Sequence, residues 1–191
     1  ERRRSFTFAY GAEFDGLGHE FGIESDEVED HFWELDAAIR RLADRLKGTN
    51  TLLIVSADHG MLDNKADEII RLDSYKDIYD CLRLPLSGDS RVGYCYLKPG
   101  REYEFKRLVK KKLAQYCTLY KSERLLQHNV FGLGKPSPGL KERVGDYVLV
   151  MKGKYSIKDV LLGERRHAHI GHHSGVSKEE MLVPLVTVSC K

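Results

Sequence analysis

The sequence predicts an α/β fold with a small α+β lobe inserted into it, and three observations lead there. A strand-like run at 5–10 (SFTFAY), a long amphipathic stretch from Asp26 and a second apolar run at 51–55 (TLLIV) make a strand, helix, strand unit. Beyond Leu62 the texture changes to shorter, alternating segments of the kind that build a separate small lobe. Short loops dense in Asp, His and Gly follow the apolar runs, which is where open α/β sheets collect their ligands.

The elements follow in order. Residues 11–24 are Gly-rich and acidic, and read as a loop too polar for a core. Asp26 with Glu29 three residues on resembles a capping box. Val28, Phe32, Leu35, Ile39, Leu42 and Leu46 then recur at helical spacing to form one apolar stripe, which Gly48 ends. The run 51–55 is continuously apolar, as in parallel strands buried on both faces. In the lobe, 91–98 alternates like a half-buried strand, 102–115 reads as a helix and 116–121 as a strand. Residues 131–140 carry the Gly and Pro of a loop, and 146–151 reads as a strand. The closing run 181–188 reads as a strand whose Pro184 requires an edge or bulged position.

Composition narrows the function classes. With 191 residues, 41% of them hydrophobic, the chain can bury a core, and a net charge of +2 provides no overall field for nucleic acid or an anionic membrane. No apolar run reaches the roughly 20 residues of a membrane span. Four scattered cysteines without a CxxC pair fit neither a disulfide framework nor a zinc ribbon, and imply a reducing, cytoplasmic setting. The basic run 106–112 shares its predicted helix with Phe105, Leu108, Val109 and Leu113, so its lysines fall on a solvated face rather than tracking a polyanion. The tyrosines of 94–120 lie in predicted strands, where packing explains them, and no nucleic-acid platform is expected.

The candidate chemistry sits in three segments: FDGLGH (14–19), SADHGM (56–61) and HSGVSKEEMLVP (173–184). Asp58 and His59 directly follow an apolar run, and a carboxylate beside an imidazole suits zinc, with manganese or iron as alternatives. The same residues would also suit a turn in which Asp58 caps a helix. Asp15 and His19 repeat the ligand types four residues apart, or belong to a solvated acidic loop. His167, His169, His172 and His173 form a cluster that reads either as surface or as the source of one fixed ligand, for which His173 is chosen.

These segments together resemble the type I phosphodiesterase/nucleotide pyrophosphatase family of the alkaline phosphatase superfamily. The resemblance extends through the long helix, 86–100, FGLG (131–134), 143–150 and the last segment. It implies a three-layer α/β/α sandwich with a mixed, mostly parallel sheet, in which 1–64 and 145–191 form the metal-binding core and 65–144 the lobe. It implies two divalent ions, usually zinc: Asp15, His19 and His173 match the ligands of one, Asp58 and His59 two ligands of the other. The family commonly has His-Gly-Gly where this chain has His173-Ser174-Gly175. The implied substrate is a small phosphorylated molecule such as a nucleotide. The family's Thr or Ser nucleophile and a further Asp ligand precede the segment matching 5–10, so the expectation is an incomplete C-terminal part without turnover of its own. Two other readings stand beside it: a cofactor-independent phosphoglycerate mutase-like isomerase, which needs a large second domain, and a non-catalytic metal- or phosphate-binding fragment.

Overall fold

A computed structural model of the protein describes residues 4–159 and 169–191. In chain order the elements are α1 (Glu13–Phe21), α2 (Asp26–Leu46), β1 (Thr51–Ser56), β2 (Leu62–Asp63), β3 (Ile69–Arg71), α3 (Lys76–Tyr79), β4 (Ser87–Asp89), β5 (Val92–Cys95), α4 (Glu102–Lys112), β6 (Cys117–Lys121), α5 (Ser122–Gln127), α6 (Leu140–Arg143), β7 (Tyr147–Met151), β8 (Ser156–Lys158), β9 (Gly171–His172), α7 (Lys178–Met181) and β10 (Leu185–Cys190). The fold is mixed α/β with strands in both directions, as the sequence predicts. Antiparallel pairings predominate among the described residues; the parallel one joins β3 to β8.

The first correction concerns 11–24, which is not a loop, because α1 runs through most of it. Two glycines lower its intrinsic propensity, and tertiary packing overrides them. Gly18 is buried facing Met61, whose Sδ a Cβ there would meet at 2.8 Å and have to displace. Glu13 and Asp15 in the first turn complement the helix dipole.

Helix α2 forms as predicted, but its cap is Ser25, whose side chain accepts the Val28 N–H, rather than Asp26. Its apolar stripe is only partly covered: Val28 is buried, Leu35, Ile39 and Leu46 are half-buried, and Phe32 and Leu42 are exposed. Strand β1 is likewise not buried on both faces. Leu52 and Ile54 point outward, and its ladder partner is β10, antiparallel, from Thr51 opposite Cys190 to Ser56 opposite Leu185. The parallel strand, helix, strand unit is therefore not formed among the described residues. Residues 5–10 form no ladder among them either, and Phe6, Phe8 and Tyr10 are exposed.

The lobe holds the main hydrophobic core. Its antiparallel sheet runs β4-β5-β7-β6, and α4 packs on it through Phe105, Leu108 and Val109. Pairing with both β5 and β6 puts β7 inside the lobe rather than beside β1. The lysines of α4 face outward; Lys112 pairs with Asp77 at 2.6 Å. Helix α4 stops at Lys112, three residues short of the predicted 115. Pro184 precedes β10 instead of interrupting it, and its carbonyl accepts the Ser56 hydroxyl at 2.9 Å. All four cysteines are free and buried, and among the described residues no helix is long and apolar enough to cross a membrane.

Candidate metal centre

Three chain segments separated by most of the sequence meet at α1. The helix puts Asp15 and His19 one turn apart on the same face, so their four-residue spacing becomes a spatial pair with His19 Nε2 3.5 Å from Asp15 Oδ1. Strand β9 crosses beside the helix: the Ile170 N–H donates to the His19 carbonyl at 2.9 Å. Gly171 passes so close to Gly18 and Met61 that a side chain there would collide with the Gly18 carbonyl. Gly171, facing the Gly18 carbonyl, thus sets the spacing between helix and strand.

Strand β9 ends at His172, and His173 just beyond it turns to the other side, which separates two adjacent histidines. His172 turns inward and is buried, with Nδ1 2.9 Å from Ser90 Oγ and Nε2 3.0 Å from the His169 carbonyl. Burial pushes its pKa down to about 4, so the ring is neutral, donating from Nε2 to the carbonyl and accepting the serine hydroxyl at Nδ1. His173 turns the other way, with Nε2 3.9 Å from Asp15 Oδ1. Burial and the neighbouring His59 hold it below the ordinary histidine value, and a neutral ring has the lone pair a metal requires.

His59 comes from the loop after β1. Its Nε2 lies 3.9 Å from the same Asp15 oxygen, and its ring stacks on that of His173 at 3.8 Å between centroids and 13° between planes. Both His19 and His59 place Nδ1 on a main-chain carbonyl, Gly171 at 2.8 Å and Gly60 at 3.1 Å. That contact assigns the proton to Nδ1 and leaves Nε2 free as a ligand atom. Asp58 stands at the exposed mouth, with Oδ1 3.8 Å from His59 Nε2.

Of the five residues singled out from the sequence, Asp15, His19 and His173 bring one ligand atom each within 4.8 Å of one another; His59 adjoins them, and Asp58 reaches the group through His59. Asp15 Oδ1 is buried and has no hydrogen-bond partner. Buried carboxylate oxygens are ordinarily supplied with donors. Three imidazole nitrogens around such an oxygen match a nitrogen-and-oxygen ligand set for a borderline cation. His169 adds a ring 4.8 Å from that of His19, while His167 lies outside the described residues.

Sequence reasoning missed the groups that hold this arrangement. Glu180, buried on α7, takes a bidentate contact from Arg91 of the lobe at 3.0 and 2.9 Å and accepts the Gly175 and Ser177 N–H groups at 2.7 and 3.2 Å. Its main-chain carbonyl accepts the Gly60 N–H at 2.8 Å. The S-x-x-E spacing from Ser177 to Glu180 is a helix-start signal that would have drawn attention to it. Ser174 adopts φ +81°, the left-handed conformation glycine favours, which is the physical reason a Gly suits that position.

A family model described as type I phosphodiesterase / nucleotide pyrophosphatase matches residues 1–175. No curated protein matches the chain. Among solved structures, murine ectonucleotide pyrophosphatase / phosphodiesterase 5 is similar at 23% identity and a TM-score of 0.69, over 91% of this chain and 44% of that one. An inactive variant of the murine protein in complex with AMP is similar at 22% and 0.68, over 92% and 45%. Phosphonoacetate hydrolase from Sinorhizobium meliloti 1021 in complex with phosphonoformate is similar at 20% and 0.64, over 91% and 43%. The chain spans less than half the length of these relatives, and what it shares with them is the alkaline phosphatase-like fold.

Proposed function

This chain belongs to the type I phosphodiesterase / nucleotide pyrophosphatase family, and we propose that it carries the metal centre of a hydrolase acting on phosphodiester or pyrophosphate bonds. We assign Asp15, His19 and His173 to one divalent ion and Asp58 and His59 to a second. Zinc suits both, with manganese or iron as alternatives. The observation that carries the reading is the buried, donor-free Asp15 Oδ1 with three imidazole Nε2 atoms around it.

When bound, such ions polarise a phosphoryl oxygen and lower the pKa of the attacking nucleophile. The chain's own residues prepare for that. Gly171 and Gly60 carbonyls orient His19 and His59, the ring stack fixes His59 against His173, and the Asp58 carboxylate stays exposed beside His59. A small phosphorylated substrate such as a nucleotide fits this reading, and AMP in a relative's structure supports it. In the same reading 1–64 and 145–191 form the metal-bearing core and 65–144 the inserted lobe, with β7 and β8 of the core segment paired to the lobe's strands. The free, buried cysteines support a cytoplasmic setting.

Zinc titration by calorimetry tests the centre. The chain is expected to bind zinc, and Asp15→Ala to abolish tight binding with the fold kept. In the whole protein, zinc- or manganese-dependent hydrolysis of bis(4-nitrophenyl) phosphate is expected to fall at least 100-fold in His59→Ala. A wild-type chain that takes up no divalent metal overturns the assignment.

A further inference from the structure

Two ligand-bearing segments, 58–59 and 173, come from distant parts of the sequence, and metal sites tolerate little misplacement. Ligands set about an ångström off lose affinity steeply, so something must register these segments against each other. On one side the β2–β9 ladder does this, with Leu62 opposite His172, and the His59 and His173 rings stack on each other. On the other side, past His59 and His173 themselves, both segments are tied to Glu180. Its main-chain carbonyl holds the Gly60 N–H, one residue after His59. Its carboxylate holds the Gly175 N–H, two residues after His173, and the Ser177 N–H.

The carboxylate is itself held from a third direction. Arg91, at the turn between β4 and β5, is fully buried and grips both Glu180 oxygens through Nε and Nη2, while Nη1 donates to the Tyr155 carbonyl. The same turn touches the ligand strand again through Ser90 and His172. An ion pair with both side chains about 1% exposed is not the most stable way to fill such a space. A buried pair of this kind, joined to two main-chain N–H groups beside a ligand, is suited to fixing geometry.

We propose that Glu180, clamped by Arg91 of the lobe, is a positioning residue that sets the relative placement of His59 and His173, so that the lobe determines the metal affinity of the centre. This rests on the metal reading given above. It assigns the lobe a role in the centre without contributing a ligand to it. Glu180 reaches the metal-binding atoms only through main chain, so its effect is on affinity and coordination geometry.

The test uses cobalt as a spectroscopic probe and zinc for affinity, on the full 191-residue chain. Glu180→Gln leaves the Arg91 charge buried and unpaired, and it can unfold the protein without informing on the site. The decisive variant is therefore Arg91→Met with Glu180→Met, which fills the space with apolar side chains and removes the clamp together with its contacts to the Gly175 and Ser177 N–H groups and the Tyr155 carbonyl. Expected are a retained circular dichroism spectrum, a zinc affinity lower by roughly 10- to 100-fold, and altered intensity and position of the cobalt d–d bands. Gly175→Ala reaches the same carboxylate from the ligand side, where its Cβ would lie 2.5 Å from Glu180 Oε2, and is expected to move the cobalt bands in the same sense. It provides the readout if the double variant does not fold. A control, Lys112→Met with Asp77→Leu, removes an exposed lobe ion pair and is expected to leave both readings unchanged. Folded variants with wild-type zinc affinity and wild-type cobalt bands overturn the positioning role alone. A wild-type chain that binds neither metal overturns the metal reading and this inference with it.

Discussion

Gly60→Ala is the sharpest test of how the candidate centre is held together. A Cβ at this position would overlap the Glu179 carbonyl oxygen and lie 3.1 Å from the Glu179 carbonyl carbon and 3.5 Å from Glu180 Cα. The obstacle is backbone, so no side-chain rotation relieves it, and overpacking of this type costs about 1–3 kcal/mol. Moving the chains apart also stretches the 2.8 Å Gly60 N–H to Glu180 carbonyl hydrogen bond, worth about 1 kcal/mol. Together these give a loss of about 2–4 kcal/mol. For a domain of this size that corresponds to a fall in Tm of roughly 5–15 °C. Thermal unfolding by circular dichroism measures it. Gly16→Ala is the matched control: it lies inside α1 with nothing within 4 Å of an added Cβ, and is expected to gain about 0.5–1 kcal/mol from helix propensity. If Gly60→Ala melts within about 1 °C of wild type, or if both substitutions lower Tm alike, the contact at Glu179 is not what the geometry states.

Further expectations follow from the same structure. Asp15→Asn should leave the metal-free protein as stable as wild type or slightly more so, since the Asp15 oxygen is buried without a donor, while reducing zinc affinity by more than about 100-fold; chemical denaturation and calorimetry read the two effects. Zinc at 100 times its Kd should stabilise the chain by about 2.7 kcal/mol, reversed by a chelator, and an unchanged melt would contradict binding to the folded state. Burial acts to raise the Glu180 carboxyl, but the Arg91 hydrogen bond and charge, with the Gly175 amide, outweigh it and hold the group below its ordinary value. Its stabilisation is therefore complete above the unfolded value of about 4.3 and lost as pH falls through the folded one, so Arg91→Met with Glu180→Met should flatten the acid limb of a stability–pH curve. Ser174→Gly should relieve the left-handed backbone at φ +81° and raise stability by up to about 1 kcal/mol in a thermal melt.

Local pattern was legible where local forces decide. The stripe of α2 and the apolar face of α4 at Phe105, Leu108 and Val109 follow from helical spacing alone. So do the strands around 92–95, 117–121 and 147–151, because alternation and β-branched residues suffice to mark them. Strand direction was not legible: β1 carries a run that suits a buried parallel strand, yet its ladder partner is the antiparallel β10, 129 residues beyond its last residue. Nor was α1, since two glycines in nine residues argue locally for a loop. The helix they lie in is packed by distant residues: Gly18 faces Met61, and its carbonyl lies against Gly171, more than 40 and 150 positions away.

The candidate site divides in the same way. Residue types and segment order pointed to Asp15, His19, Asp58, His59 and one histidine of the cluster, because chemistry of that sort requires carboxylate beside imidazole. The choice between His172 and His173 has no local answer: the two are neighbours of identical type. It is decided by which side of β9 faces α1, and that follows from Leu62 pairing with His172 and Asp63 with Gly171 across the β2 ladder. With that register His172 is directed at Ser90 and the lobe, and His173 at Asp15. A slip of one residue would exchange them, sending a ligand into the protein and a structural histidine to the centre. Gly171, too close to Gly18 to accept any side chain, resists that slip, since moving the strand by one residue would bring His172 or Ile170 against the helix backbone. Gly18, one of the two glycines that made α1 hard to recognise, thus offers the backbone against which Gly171 fixes the histidine that reaches Asp15.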